Sequence, residues 1–125
     1  MCRSAQVNFW DLSGHPEFFD VRNEFYKDTQ GVLLVYDVTQ RHSFEALPGW
    51  VEEAKKFGVG SDTVWIVCAN KVDRSSRVVE HGEGSEWAKG RGFKYYETSA
   101  KDGTNVEELF NYMFKKVVNT MTERR

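Results

Sequence analysis

Cysteine occurs only twice in 125 residues, and no second Cys or His stands at ligand spacing from either one. That spacing excludes a disulfide framework and a zinc site. The three histidines, His15, His42 and His81, are scattered as well. Basic charge is not in excess: 17 Lys and Arg stand against 19 Asp and Glu. A nucleic-acid module normally carries a basic face, so no nucleic-acid partner is expected. The pairs Lys55-Lys56, Lys115-Lys116 and Arg124-Arg125 read as solvated helix faces and a tail. The opening MCRSAQVNF has no long apolar segment, so neither a signal peptide nor a membrane span is read there. The closing TERR lacks the cysteine of a prenyl anchor, so no direct membrane anchor is expected. The expected compartment is reducing and cytoplasmic.

What is present is enough for one small packed domain: 40% hydrophobic, 14% aromatic and 29% charged residues. Strand-like and helix-like segments alternate, with no repeat and no low-complexity linker. Residues 7–11 form a short strand ending at Asp11, and residues 17–27 are helical in part. Residues 31–38 (GVLLVYDV) and 63–70 (TVWIVCAN) are continuous apolar runs, the pattern of strands covered on both faces. Within the second run, Cys68 reads as a small buried thiol. Between them Ser43 is the expected N-cap, Pro48 opens the main helix, and Leu47, Trp50, Ala54 and Phe57 share one face before Gly58. Residues 79–91 look helical despite Gly82, Gly84 and Gly90, each costing about 1 kcal/mol against alanine. Residues 93–97 form a short strand. A last helix carries Val106, Leu109, Phe110, Met113 and Val117 at helical spacing. This order implies an α/β fold, a parallel sheet with helices on both faces.

In such sheets ligands bind outside the carboxyl ends of the strands. Asp11, Asp37, Asn70-Lys71-Val72-Asp73 and Glu97-Thr98-Ser99-Ala100-Lys101 fall at four such ends. Asn70 offers an amide donor and acceptor, whereas Asp73 only accepts. Guanine presents two adjacent donors, its N1–H and 2-amino group, which one carboxylate can accept together; adenine presents neither. Such a site can reject the wrong base by roughly 10⁴-fold or more. The apolar stem of Lys71 can lie along a base plane. Ser99 and the Ala100 N–H would sit near the base carbonyl, with Lys101 covering the other side. Either tetrapeptide alone could be an ordinary polar loop; both, each after a strand and about 26 residues apart, are more specific. Asp11 can hold Mg²⁺ through water, and Gly14 leaves its N–H open to a terminal phosphate. The competing reading is that Asp11 caps a turn that Gly14 makes.

WDLSG, NKVD and ETSAK, in this order and spacing, resemble the DxxG, NKxD and SAK motifs of Ras/Rab-type small GTPases. The likeness runs from about Val7 to Thr122. QGVLLVYDVT is similar to the Rab branch, and GHPEFFDVRNEFYKDTQGV with CANKVD resembles the Rab-like GTPases that carry a C-terminal J domain (the RBJ type). The resemblance implies a P-loop NTPase-like fold, binding of GTP and GDP with Mg²⁺, and switching between protein effectors. It assigns guanine to Asn70, Lys71, Asp73, Ser99, Ala100 and Lys101, Mg²⁺ to Asp11 through water, and the γ-phosphate to Gly14. Residues 14–29 would be the second switch. Phe18, Phe19, Phe25 and Tyr26 would face effectors, some of them serving the core instead.

Two departures qualify these expectations. His15 stands where most of the family has the glutamine that orients the attacking water. Pro16 restricts the backbone of His15, so slow hydrolysis is expected, with a surface residue of no chemical role as the alternative. Second, no G-x-x-x-x-G-K-[ST] loop occurs anywhere in the chain. That loop's N–H groups and lysine hold the phosphates. The chain therefore reads as a partial G domain over residues 1–125, with an irregular leader (1–6) and a tail (123–125). It lacks the family's first βα unit and second strand. Without the first strand, the strands at 7–11 and 31–38 lose a shared partner unless they pair directly, and marginal stability is expected. The leading expectation is a small GTPase with weak nucleotide retention. The alternative is a non-catalytic interaction module or pseudo-GTPase.

Overall fold

The computed structural model describes residues 29–123. The expected strand at 7–11 and the helical stretch at 17–27 lie outside the described residues. The remaining elements form in the expected order. They are β1 (Gly31–Asp37), the short α1 (Arg41–Glu45), α2 (Leu47–Lys56), β2 (Val64–Asn70), α3 (His81–Gly90), β3 (Lys94–Glu97) and α4 (Val106–Glu123).

The described strands make a parallel sheet in the order β1-β2-β3. Strands in spatial sequence joined by crossovers of one hand place both connections on the same face. Accordingly Leu47 and Val51 of α2 and Ala88 of α3 join Leu34, Tyr36, Val67 and Ala69 in one core. On the opposite face, Leu109 and Met113 of α4 pack with Ile66 and Cys68. The central strand β2 is thus covered on both faces. The matching expectation for β1 is corrected at Val35, which is 55% exposed. Each side chain buried as fully as Leu47, Val51 or Ile66 contributes about 1.5–3 kcal/mol.

Other details follow from local chemistry. Ser43 is not the N-cap: its hydroxyl donates to Gln40 O at 2.7 Å and accepts from Asp37 N–H at 2.9 Å. It is used to close the turn after β1, and Gln40 takes the cap position without a side-chain bond. Pro48 lies in the first turn of α2, where no intrahelical N–H bond is lost. Gly58 has φ +127°, and Val59 N–H bonds back to Ala54 O at 3.0 Å, the closing bond that satisfies an end carbonyl. On α2 the buried residues are Leu47, Val51 and Ala54, while Trp50 and Phe57 are half-buried. Gly84, read from sequence as a weak point of α3, is required there. A Cβ at that position would come within 2.2 Å of the Tyr36 hydroxyl and 2.8 Å of the Tyr95 ring.

Candidate functional site

Strand register brings the polar rim together. Asp37 lies opposite Asn70 at the ends of β1 and β2, and Ala69 lies opposite Glu97. One residue beyond, Thr98 N–H continues the ladder to Ala69 O at 2.7 Å, and Val72 N–H returns to Thr98 O at 3.2 Å. The loops after β2 and β3 are therefore bonded to each other.

Asn70 Oδ1 accepts from the Ala100 N–H and the Thr98 hydroxyl, both at 3.2 Å. A backbone N–H can only donate, so the amide oxygen faces inward and Nδ2 is the group left to donate. Because the Thr98 hydroxyl donates to Asn70, the Cys68 thiol, 3.0 Å away, donates to Thr98. Burial pushes the Cys68 thiol up, against the Thr98 bond, so it stays protonated. Asp73 is exposed and its Oδ1 accepts from the buried Ser99 hydroxyl at 2.8 Å. Ser99 Oγ in turn accepts from Asp102 N–H at 3.3 Å. The second Asp73 oxygen remains for acceptance from outside. Asp102 Oδ1 takes the Thr104 N–H and hydroxyl at 2.9 and 2.5 Å, which hold its carboxyl below the usual range and close the loop.

Lys71 occupies the left-handed region, φ 69°, which is rare for a residue bearing a Cβ. Its Nζ meets Asp37 Oδ2 at 2.9 Å. The other Asp37 oxygen accepts Thr39 N–H at 2.8 Å and the Thr39 hydroxyl at 2.6 Å. Burial opposes ionisation of Asp37, but the Lys71 and Thr39 bonds outweigh it and hold the carboxyl at about 2.

Behind the rim, Glu97 Oε2 accepts from the Arg77 guanidinium, from Tyr95 OH at 2.8 Å, and faces His81 Nδ1 at 3.2 Å. Asn105, also left-handed at φ 58°, donates to Glu97 O at 2.8 Å. This cluster fixes the end of β3 from which the second loop departs. Burial tends to raise the Glu97 carboxyl, yet its donors lower it overall.

Of the residues singled out from sequence, Asn70, Lys71, Asp73, Ser99 and the Ala100 N–H are brought to one rim, while Lys101 is exposed beside them. Asp11, Gly14, His15, Phe18, Phe19, Phe25 and Tyr26 lie outside the described residues. Sequence reasoning assigned no task to Thr98 or Asp37, which orient Asn70 and hold Lys71. Their position at strand ends was the available signal.

A sequence model described as the Ras family matches residues 2–119. The chain belongs to the Ras family. Among curated proteins, this Ras-family chain is 49% identical over 122 residues to a DnaJ homolog subfamily C member 27 from Rattus norvegicus. It is 49% identical over 123 residues to that of Danio rerio and 47% identical over 122 residues to that of Homo sapiens. Each match covers 94% of this chain and 45% of the relative, so the chain spans less than half the length of these curated relatives. Relatives named as DnaJ homologues are what the resemblance to the J-domain branch implies. The family is that of small GTPases, and the observed sheet and helices form part of its P-loop NTPase-like α/β fold. Among the described residues, no helix is long and apolar enough to cross a membrane.

Proposed function

We propose that the rim formed by Asn70, Asp73, Ser99 and Ala100 is a guanine-recognition site, the base-binding half of a nucleotide switch. One observation carries this reading. Asn70 and Asp73 are each held by the facing loop so that an amide donor and a carboxylate acceptor remain outward. An amide N–H suits the N7 acceptor that any purine presents, and the carboxylate suits the paired donors that guanine alone presents. Asn70 would thus select a purine and Asp73 would select guanine. The Lys71 stem and Lys101 would cover the two faces of the base.

For the whole switch, Asp11 would hold Mg²⁺ through water, and the ion would neutralise phosphate charge when bound. Gly14 would approach the γ-phosphate, residues 14–29 would change order with the nucleotide, and Phe18, Phe19, Phe25 and Tyr26 would meet protein effectors. With His15 at the water-orienting position, hydrolysis would be slow. A cytoplasmic switch of the Rab-like type fits this reading. No GK[ST] occurs in the 125 residues, which favours a second reading beside the first, a non-catalytic protein-interaction module or pseudo-GTPase.

The test exchanges the acceptor. Asp73→Asn supplies an N–H where xanthine presents a 2-oxo group and guanine presents an amine. By ligand-observed NMR on the 125-residue chain, the wild type should prefer GDP to XDP and the variant should reverse that preference. An unchanged preference would remove Asp73 from base recognition.

A further inference from the structure

We propose that Asp37, at the end of β1, is a positioning residue for the base site, acting through Lys71 to fix the lysine stem where a base plane would lie. The inference rests on the guanine-site reading and extends it to a third strand. Three observations support it. Lys71 directly follows Asn70, two residues before Asp73, and has φ 69°, so its side chain leaves the backbone in a direction that few residues adopt. Its ammonium meets Asp37 Oδ2 at 2.9 Å, across the strand register that sets Asp37 opposite Asn70. Asp37 is itself fixed, because its other oxygen takes both the N–H and the hydroxyl of Thr39.

The two ends of the pair differ. The Asp37 side chain is 20% exposed and that of Lys71 is 46% exposed. The carboxylate is thus the anchored partner, and the lysine is the one whose freedom the pair restricts. A free lysine stem has several rotatable bonds, and ordering it upon binding costs side-chain entropy. A stem already tethered at its far end has lost that freedom before the base arrives. The ion pair therefore contributes by preorganisation, and its effect should appear in nucleotide affinity more than in folding stability, since partly exposed pairs add little to stability.

The experiment is a double-mutant cycle on the 125-residue chain, with Asp37→Asn and Lys71→Met made singly and together, titrated with GDP by ligand-observed NMR. Asp37→Asn keeps the size of the side chain and an acceptor for Thr39. It is expected to weaken GDP about three- to tenfold in the wild-type background and to have no effect in the Lys71→Met background. Asp37→Glu should recover part of the loss. A spectroscopic arm reads Lys71 directly in the wild-type chain: after ¹³C-dimethylation, its signal, assigned by comparison with Lys71→Arg, should stand apart from those of the other exposed lysines before any nucleotide is added. Equal losses in both backgrounds, GDP affinity unchanged in Asp37→Asn, or a Lys71 signal that coincides with those of the other exposed lysines would each overturn the role of Asp37. The first two would leave the guanine site standing. No saturable GDP binding by the wild type would remove the guanine reading and the role of Asp37 together.

Discussion

The loops after β2 and β3 lie side by side at one rim but are built differently. The loop after β2 displays its chemistry: Lys71 and Asp73 are exposed, and Asn70 is half-buried with its amide nitrogen outward. The loop after β3 hides its hydroxyls. Thr98 and Ser99 are buried, and their hydroxyls are directed at the side chains of the first loop. One loop presents and the other orients. The division is economical in physical terms, because a presented group keeps its affinity only if something else absorbs the cost of fixing it.

The comparison makes separable predictions. Substitution on the orienting side should change stability, and the largest effect is expected at Glu97. Removing its charge in Glu97→Gln leaves the Arg77 guanidinium, 20% exposed, without its counter-charge. A loss of about 1–3 kcal/mol is expected in urea unfolding, below the range for fully buried pairs. The pH dependence has a definite sign. The Glu97 carboxyl is lower in the folded chain than its ordinary value of 4.5, so it favours folding above that value. This contribution is lost as pH falls through the depressed folded value. Asp37 behaves alike between its ordinary 3.8 and about 2. The Glu97→Gln chain should therefore lose stability less steeply than wild type below pH 4.5.

Ser99→Ala should have a smaller effect on folding, about 1 kcal/mol for one lost hydroxyl network. Unlike the Glu97 variant, it frees Asp73 directly, so the preference for GDP over ADP should fall as well. An unchanged preference would show that Asp73 needs no orienting partner. Asp73→Ala should sharpen the contrast from the other side, with the guanine preference lost and a stability loss of about 1 kcal/mol, the cost of the Ser99 hydroxyl's lost acceptor. A large loss of stability in that variant would erase the distinction between the two loops.

Much of this arrangement was legible in the sequence. The apolar runs, the helix periodicities and the NKVD and TSAK loops identified a parallel α/β sheet and its rim. The bonds between loops were less legible, because they depend on register. Nothing local in YDVTQ says that Asp37 will lie opposite Asn70, or that Thr39 and Lys71 will share its two oxygens. Ser43 shows the same limit. A serine ahead of a helical pattern suggests a cap, but the turn after β1 took its hydroxyl first. At Gly84 the local propensity counted the cost of a glycine in a helix and could not see the tyrosine that needs the space.

The most direct test of the central claim is a comparison of GDP, IDP and ADP on the wild-type chain by competition NMR. Hypoxanthine keeps the N1–H of guanine and lacks its 2-amino group, and adenine lacks both, so each nucleotide removes one donor that Asp73 could accept. The account predicts the affinity order GDP, then IDP, then ADP, with the step from GDP to IDP, which changes the 2-amino group alone, abolished in Asp73→Ala. Equal binding of all three, or a preference for GDP over IDP kept in Asp73→Ala, would contradict it.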